Sequence, residues 1–500
     1  MRGNRQGRTR TLAQSRREKS TRETVHIFIG GHSTGGTYPF LMNNLVLPLY
    51  DIVRGTSRFR YGRTLNKTQW LGPRDIESLQ RRNLRCLIKH AFETVPYYRR
   101  LFREAGLVPD NIREPKDLVK LPILTKQELR KEFRNMVSTV VNPNTLRACQ
   151  SGGTGDPVRF FTTKDSFSWE VAAEFRAYEW AGYKLGDKCF TFWGSPIDLA
   201  KSESLVKRFA EILERRFMAD TFVISEEVLA RFTYLLRRFK PRIIRGYASS
   251  VFMMAKYLKE NDVVDVRPNA VITAAETLHD SMRKTIEDAF QCPVFDYYGS
   301  REVGAIAAEC QEHKGYHISA ENVVVEFERD GEPVGSGEKG IMLLTDLRNF
   351  GMPLIRYRIG DVGVPSEETC SCGRGLPMMS SIEGRVSDFM AFYDKESGRV
   401  RPVGPIYPVV ISAAMHLPIE NCQVIQNALN RLVVAIVKGK GYSQRHTEFI
   451  VEHFKKYLGN EIEIEIEFVK YIPPLKSGKR SNFISKLDPF NPRGESGRKV

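Results

Sequence analysis

The sequence has few cysteines and no long apolar run. Eight cysteines in 500 residues are too sparse for the disulfide framework of a small secreted protein. No stretch of about 18 uninterrupted apolar residues occurs, so we expect no transmembrane helix. Internal repeats are also absent. With apolar residues at 41%, the sequence predicts a globular, cytoplasmic protein of more than one domain, in a reducing environment.

The net charge of +17 is concentrated at the two ends of the chain. Residues 1–24 hold eight Arg or Lys and two Glu, a net charge of +6, and the tail 491–500 is also basic. A solvated extension, contact with nucleic acid or an anionic membrane, a transit peptide and a translation start at Met42 are the alternatives for the first segment. We expect residues 1–41 to be a disordered basic extension and 488–500 a flexible tail. Because these charges lie outside the chemical motifs, we predict no nucleic-acid partner.

Helix-like and strand-like segments alternate through the first 300 residues. An amphipathic pattern at 75–105, interrupted at Pro96, predicts two helices, and Thr125 placed three residues before Glu128 predicts a helix start. Strands that alternate with helices are typical of an α/β fold with crossover connections. The predicted strands are 188–194, 241–247, 270–276 and 293–299, and the predicted helices are 167–183, 205–219, 250–261 and 279–290.

The texture of the sequence becomes β-rich from about Gly315 and changes again near Asp388. A smaller unit follows, with the strand-like runs 431–439 and 462–469 on either side of a helical pattern at 445–459. We therefore predict a large α/β domain of mixed sheets flanked by helices over 42–387, and a small C-terminal α+β domain over 388–487.

Four predicted strands end in residues suited to ligand binding. In α/β sheets ligands bind beyond the carboxyl ends of the strands. Aromatic and small residues mix at these ends, which suits an aryl or medium-sized apolar acid, although core aromatics would read the same way. The strand ends are Trp193-Gly194-Ser195, Gly246-Tyr247, Ala274-Ala275-Glu276 and Tyr298-Gly299-Ser300, and we expect Trp193, Gly194, Tyr247 and Ala274 to line the acid pocket.

A glycine-rich stretch, "SGGTGDPVRF" at 151–160, suggests a phosphate site. Glycines allow consecutive backbone N–H groups to converge on an anion, and Ser and Thr add hydroxyl donors. It is not the P-loop of NTPases, which needs a Lys-Ser/Thr pair before a helix. Pro157 blocks a helix here, and the following "VRFFTT" reads as a strand, so the stretch is expected to join two strands. An ordinary glycine turn is the alternative.

Three further motifs follow in order: "YYGSRE" at 297–302, "RYRIGD" at 356–361 and "PPLKSGKRS" at 473–481. With the lead-in "CLIKHAFETVPYYRRLF", "AAETL" and "TDLRNFGMPLIRYRIGDVG", the chain from about Met42 to Leu487 resembles the adenylate-forming (acyl-CoA synthetase, luciferase-like) superfamily. Within it, the chain is similar to the phenylacetate–CoA ligases and their relatives encoded among capsular-polysaccharide genes. That resemblance implies a large adenylate-forming domain and a small mobile C-terminal domain.

The resemblance also implies the chemistry. ATP activates a carboxylate to an acyl-adenylate with release of pyrophosphate, and the acyl group then passes to CoA. Tyr298 matches the residue that stacks on adenine, and Asp361 the carboxylate that binds both ribose hydroxyls. The residues expected to bind the nucleotide are Ser151, Gly152, Gly153, Thr154, Gly155, Glu276, Tyr298, Gly299, Ser300 and Asp361.

Three catalytic positions carry over from the same resemblance. Glu302 matches the acid that binds Mg²⁺, and a hard oxygen ligand suits that ion. Arg385 matches a basic residue at the junction of the two domains. Lys479 matches the lysine that the small domain carries to the α-phosphate, a task that suits a compact point charge.

Two positions depart from the family pattern. The usual Thr before the acid is Arg301, which either contacts a phosphate or points outward as a surface charge. Arg159 replaces the lysine at the end of the glycine-rich loop and keeps its charge.

A cysteine and histidine set predicts a structural zinc site. Cys370 and Cys372 form a C-x-C pair, while Cys310 and His317 precede them, and together they meet the ligand count for tetrahedral Zn²⁺. His313 is the alternate ligand, and free thiols in a turn are the alternative interpretation. Similar sets occur in related ligases, some of which bind zinc. With four protein ligands, no catalytic water is expected.

Three functions compete on the sequence. The first is an acyl- or aryl-CoA ligase with ATP, Mg²⁺ and CoA as cofactors. The second is an adenylating enzyme that passes its acyl group to a carrier protein, an amine or a sugar. The third is a binding or assembly protein that keeps the fold, but retention of Glu302, Asp361 and Lys479 argues against it.

Overall fold

The structure is a computed structural model. Within the residues it describes, no helix combines the length and the apolar character needed to cross a membrane. The described residues are 37–151, 158–193, 211–221, 225–385, 390–394, 399–403, 417–473, 483–485 and 487.

A helical lead-in precedes the main sheet. The predicted pair of helices is present, and the break falls at Val95, because Pro96 cannot continue the first helix. Thr125 caps the next helix as predicted, its Oγ1 accepting a hydrogen bond from the Glu128 N–H at 3.1 Å. The helices are α1 (Thr37–Leu41), α2 (Leu47–Arg54) after a π-helical turn at Met42–Val46, α3 (Arg58–Thr68), α4 (Pro73–Thr94), α5 (Pro96–Glu104) and α6 (Lys126–Lys131), with 3₁₀ turns at Pro109–Asn111, Pro115–Lys120 and Pro143–Thr145.

Regular structure begins before the expected boundary at Met42. Helix α1 starts at Thr37, and the Tyr38 hydroxyl donates a hydrogen bond to the carbonyl of Leu213 at 2.7 Å. This long-range contact joins α1 to the segment that precedes the strand Arg216–Asp220.

The parallel half of a twelve-stranded sheet follows the order β7-β6-β5-β3-β4. Helices alternate with its strands, as the crossover pattern predicts. These elements are α7 (Lys164–Trp180), β3 (Cys189–Trp193), β4 (Arg216–Asp220), α8 (Glu226–Phe239), β5 (Ile243–Tyr247), α9 (Ala248–Glu260), β6 (Ala270–Ala274), α10 (Asp280–Phe290) and β7 (Val294–Ser300).

One sequence prediction is wrong in this half. The helix predicted over 205–219 cannot include residues 216–219, because they belong to the edge strand β4, which pairs in parallel with β3. Arg215 adopts a left-handed φ of 50°, which breaks the helical pattern. Phe217 and Ala219 then alternate with more exposed neighbours, the period of a strand.

Antiparallel strands complete the main sheet in the order β11-β10-β12-β13-β14-β9-β8, and β8 pairs with β7. One sheet thereby holds both β7, which ends in the Tyr298-Gly299-Ser300 motif, and β13, in which Asp361 lies within the strand because pairing continues to Ser366. These strands are β8 (Gly304–Glu309), β9 (Tyr316–Ile318), β10 (Val323–Arg329), β11 (Glu332–Pro333), β12 (Gly340–Asp346), β13 (Tyr357–Ser366) and β14 (Met378–Arg385).

Smaller sheets precede and follow the main sheet in the sequence. The antiparallel pair β1 (Arg147–Gln150) and β2 (Arg159–Thr162) flanks the glycine-rich stretch, as predicted. Near the C-terminus a four-stranded mixed sheet of order β19-β18-β17-β20 packs against one helix. The C-terminal elements are β15 (Met390–Asp394), β16 (Arg399–Val403), β17 (Ile419–Ala428), β18 (Arg431–Lys438), α11 (Gln444–Leu458), β19 (Glu463–Phe468) and β20 (Phe483–Ser485).

Separate apolar cores support these regions. The helical lead-in packs on the antiparallel half through residues such as Leu84, Phe102 and Leu344. The parallel half has its own core, which includes Phe190 and Val271, and the C-terminal sheet packs on α11 around Phe454. Each core buries its own apolar area, and the core of the parallel half packs against the strands whose carboxyl ends carry the predicted ligand-binding residues.

Candidate functional site

A carboxylate, a phenol and a guanidinium meet where β7, β13 and β14 come together. The Tyr298 hydroxyl donates to Oδ2 of Asp361 at 2.7 Å, and Nε of Arg385 lies 3.5 Å from Oδ1. Asp361 and Arg385 are direct cross-strand partners, so the sheet register fixes their separation. Burial, followed by the charge of Asp361, raises the pKa of Tyr298 well above its ordinary value, which keeps the phenol protonated as a donor.

Glu302 lies in the tight turn between β7 and β8. The Val303 N–H donates to Oγ of Ser300 at 3.1 Å, which closes the turn, and the Tyr357 hydroxyl donates to Oε1 of Glu302 at 3.3 Å. A side chain on Gly299 would put its Cβ 2.9 Å from the backbone carbonyl of Gly304 and 2.8 Å from the phenol oxygen of Tyr297, so glycine is favoured at this position. The turn therefore holds a buried carboxylate on the strand that also presents Tyr298.

Lys126 is a residue that the sequence analysis missed. It is the first residue of α6, and a parallel bridge between Leu124 and Tyr357 holds the start of that helix against β13. Burial lowers the pKa of Lys126, while the charges of Glu302 and Asp361 act in the opposite direction. A cation at a helix N-terminus opposes the helix dipole, and this unfavourable placement was the available signal.

The base of the glycine-rich loop is well defined. Ser151 donates its N–H to the carbonyl of Val158 at 2.8 Å, and its Oγ accepts from the Val158 N–H at 2.9 Å. Ser151 is therefore buried and closes the base of the loop between β1 and β2. The predicted phosphate-binding residues Gly152, Gly153, Thr154 and Gly155 lie outside the described residues, and so does Lys479.

Three of the four expected acid-pocket residues lie at adjacent strand ends. The rings of Trp193 and Tyr247 have centroids 4.4 Å apart, and Tyr247 is the cross-strand partner of Ala274. The guanidinium of Arg245 lies 5.3 Å from the Trp193 ring and pairs with Glu174 at 2.7 Å. The fourth residue, Gly194, is outside the described residues. Tyr247 and Ala274 are buried and Trp193 is half-buried, so these strand ends place aromatic area beside a neutralised ion pair.

Glu276 has a structural contact at the same edge. The residue before it, Ala275, has a left-handed φ of 69°, a conformation that costs an L-residue on the order of 1 kcal/mol. The bend lets Oε2 of Glu276 accept a hydrogen bond from the Ser249 N–H at 2.9 Å, at the start of α9. Glu276 thus ties the end of β6 to the helix that follows β5. Arg301, beside Glu302, is half-buried.

The cysteine and histidine set is brought together at a second location. Cys310, His317, Cys370 and Cys372 present ligand atoms that all lie within 4.8 Å of one another. Sγ of Cys310 lies 3.7 Å from Sγ of Cys370, and Sγ of Cys372 lies 3.3 Å from Nε2 of His317. His313 is placed elsewhere, with its Nδ1 3.4 Å from Oε2 of Glu309.

The electrostatics of this thiol cluster suit a soft cation. Burial lowers the pKa of His317 to about 4, which leaves a neutral imidazole, and burial raises the pKa of Cys310 to about 12. Burial raises the pKa of Cys372, but hydrogen bonds involving Arg374, Cys370 and Cys310 together outweigh it, so the pKa is lowered. Sulfur separations of this size match two ligands of one tetrahedral ion with metal–sulfur bonds of about 2.3 Å.

Comparisons with known proteins bear on this arrangement. Residues 403–486 match the family model of the CapK C-terminal domain. The chain is 29% identical over 364 residues to a phenylacetate-coenzyme A ligase of Escherichia coli (strain K12), covering 69% of this chain and 80% of that protein. It is 24% identical over 421 residues to protein CapK of Staphylococcus aureus, covering 83% and 90%.

Solved structures share the fold. A 2-hydroxyisobutyryl-CoA ligase in its postadenylation state, bound to 2-HIB-AMP, aligns with a TM-score of 0.67 and 18% identity over 84% of this chain and 92% of that one. The fold class predicted from the sequence is therefore confirmed. The resemblance to phenylacetate–CoA ligases and CapK, which the motifs carried, is confirmed as well.

Proposed function

We propose that the chain is an AMP-forming acid–thiol ligase. It activates a carboxylic acid with ATP and transfers the acyl group to CoA. The observation that carries the proposal is the position of Asp361 on β13, held by Tyr298 and Arg385, together with Glu302 in the turn that follows β7. This is a preorganised polar site of the type that nucleotide chemistry needs.

The reaction proceeds in two balanced steps. A carboxylate oxygen of the acid attacks the α-phosphorus of ATP, the bond to the bridging oxygen breaks, and pyrophosphate leaves. The thiolate of CoA then attacks the acyl carbon, and AMP leaves with the electron pair of the acyl–oxygen bond. Negative charge builds on phosphate oxygens in the first step, so cationic and N–H donors around the α-phosphate accelerate it.

Named side chains take separate parts in the first step. Asp361 accepts hydrogen bonds from the ribose, and Tyr298, oriented by Asp361, packs on the base. Arg385 and Lys126 supply positive charge near the α-phosphate. Glu302, a buried oxygen ligand, would hold Mg²⁺, which would neutralise charge on the polyphosphate. Trp193, Tyr247 and Ala274 form the wall against which the acid lies.

Lys479 is proposed to serve adenylation alone. By resemblance, the small domain carries it to the α-phosphate and then rotates away near Asp388, a hinge motion that opens a path for the thiol. Lys479→Ala should lose adenylation and keep thioester formation from a preformed acyl-adenylate. Separate assays of the two half-reactions test this, and equal loss of both would contradict it.

The alternative function uses an acyl acceptor other than CoA. The match of residues 403–486 to the CapK C-terminal domain falls on the small domain, which in this scheme faces the acceptor. Under this alternative the acyl group passes to a carrier protein, an amine or a sugar instead of CoA.

One assay separates these functions. Pyrophosphate release should be measured across a panel of aryl and medium-chain carboxylic acids, with and without CoA. Stimulation by CoA supports the acid–thiol ligase, whereas acid-dependent release that CoA leaves unchanged supports another acceptor. Absence of release with every acid would contradict both.

We further propose that Cys310, His317, Cys370 and Cys372 hold a structural Zn²⁺. The donor set of three sulfurs and one neutral imidazole fits this ion, which would draw the thiol protons off and cross-link β8, β9 and the segment before β14. Metal analysis of purified protein should find one equivalent of zinc. Cys370→Ser should lose the metal and lower the melting temperature, while Cys86→Ser, at an exposed cysteine on α4, should keep both. Less than one equivalent in the unmodified protein would contradict the proposal.

A further inference from the structure

A surface cleft of about 630 Å³ lies at the opposite edge of the parallel strands from the candidate site. Its floor is formed where β3, β5 and β6 begin, whereas Trp193, Tyr247 and Ala274 stand where those strands end. A five-residue strand spans about 15 Å, so the cleft is separate from the nucleotide site. Six cationic side chains line it: Lys188, Arg215, Arg237, Lys240, Arg242 and Arg267.

Two of these cations are neutralised by the two carboxylates of the cleft. Arg237 makes a bidentate pair with Asp265, with N–O distances of 2.8 to 2.9 Å. Nε of Arg242 lies 3.4 Å from Asp187. The lining residues therefore carry a net charge of +4.

The other four cations have no carboxylate partner within the part of the chain that the structure describes. Instead, aromatic rings hold two of them in place: Arg215 lies 3.8 Å from the centre of the Tyr38 ring, and Lys188 lies 5.6 Å from that of Phe239. Burial lowers the pKa of Lys188, and the charges of Arg215 and Lys240 lower it further. The cations are thus close enough to repel one another.

Backbone conformation adds a second observation. Arg215 and Lys240 both adopt left-handed φ angles, of 50° and 51°. Such a conformation is strained for a residue with a Cβ, and glycine would avoid the strain. The dipole of α8 favours a cation at Lys240, just beyond its last turn, but it does not account for Lys188, Arg215 or Arg267, which belong to three other connections.

We propose that this cleft binds a small polyanion with at least two phosphoryl groups. Unpaired cations that converge on one concave space are stabilised by an anion that neutralises them together, and guanidinium groups pair with phosphate oxygens in bidentate fashion. Leu236 and Val266 in the lining offer apolar contact to an organic part. The volume is that of a small-molecule site, and the charges line a cleft rather than an open stripe, which favours a small molecule over a nucleic acid.

Calorimetric titration of the full chain with inorganic tripolyphosphate at 150 mM NaCl tests the proposal. We expect two classes of site, one suppressed by ATP and one that persists in excess ATP at reduced apparent affinity. Lys188→Gln with Lys240→Gln should weaken the second class at least tenfold. Arg231→Gln with Lys284→Gln removes the same charge from exposed positions outside the cleft and should leave both classes unchanged.

Three additional measurements keep the test decisive. Tripolyphosphate should raise the melting temperature of the control variant but raise that of the cleft variant less, because only a ligand of the folded state stabilises it. Arg267→Gln is a single change at an exposed residue and serves if the double variant folds poorly. It should also weaken tripolyphosphate binding to the second class of site. Inorganic phosphate should bind at least tenfold more weakly than tripolyphosphate. Equal tripolyphosphate binding by the cleft and control variants would overturn the proposal.

Discussion

The two ends of the parallel strands, called here the carboxyl edge and the amino edge, differ in how their charged side chains are paired. At the carboxyl edge, Asp361 has a phenol donor and a guanidinium beside it, and Glu302 accepts from a buried tyrosine. At the amino edge, Lys188 and Lys240 meet other cations and no carboxylate within the described chain. A paired polar group is oriented before any ligand arrives, whereas converging like charges need an external counter-ion. This difference agrees with the proposed reaction site at one edge and the proposed anion site at the other.

The largest effect is expected from breaking the carboxyl edge at its centre. Asp361→Asn keeps the shape of the side chain but removes the charge that orients Tyr298 and Arg385. We expect acid-dependent pyrophosphate release at limiting ATP to fall by about a hundredfold or more. Steady-state kinetics measure this. Asp330→Asn, in the exposed turn between β10 and β11, is the matched control and should retain full activity, since Asn tolerates its left-handed backbone.

A smaller loss is expected at Lys126. Lys126→Met keeps most of the side-chain length but removes the ammonium beside Glu302 and Asp361, so kcat/KM for ATP should fall about tenfold to a hundredfold. Lys131→Met, at the exposed end of the same helix, should change it less than twofold. Equal effects of the two substitutions would remove Lys126 from the site.

The pH dependence of the free energy of unfolding tests a buried carboxyl group, Glu170, near the glycine-rich hairpin. Glu170 on α7 lies under the β1–β2 hairpin, within 3.4 Å of Oγ1 of Thr162, and burial together with the charge of Asp346 raises its pKa to about 8. Between its ordinary pKa and about 8 the folded chain holds a proton that the unfolded chain has lost. The free energy of unfolding therefore falls as pH rises through this window.

Glu170→Gln removes that penalty. Relative to the unmodified protein, its free energy of unfolding should differ by less than about 1 kcal/mol at pH 5 and be higher by about 4 kcal/mol at pH 9. Denaturant unfolding at the two pH values measures the difference. Glu368→Gln, at an exposed carboxylate, should show no such trend, and a Glu170→Gln variant that gains nothing at pH 9 would show that the carboxyl ionises freely.

The smallest effect is expected at the amino edge without ligand. Lys188→Gln removes one member of a group of like charges, so the melting temperature should rise, by about 1 °C at most. Calorimetry at low salt measures it, and the gain should shrink as salt is added, because ions screen the repulsion. A clear fall in melting temperature would mean that Lys188 has a stabilising partner.

Local patterns predicted much of the fold and part of the site. The hairpin around the glycine-rich stretch, the break at Pro96, the strand that ends in Tyr298 and the spacing of Cys370 and Cys372 all depend on residues close together in the chain. The edge strand at 216–220 was missed, because its pairing with β3 is a long-range interaction that overrides a helical pattern. Lys126 was missed for a related reason, since the bridge that holds α6 to β13 joins residues 124 and 357.

By itself, the sequence determined which chemical groups are present, the periodicity of most helices and strands, and the order of the motifs. Only the tertiary structure decided that Tyr298 donates to Asp361 and that His317 rather than His313 joins the three thiols. It also decided that four cations converge at the amino ends of the parallel strands. The physical reason is that hydrogen bonds and charge interactions act over a few ångströms in space. Which groups come within that range depends on strand order and register, and neither is written in any local stretch of residues.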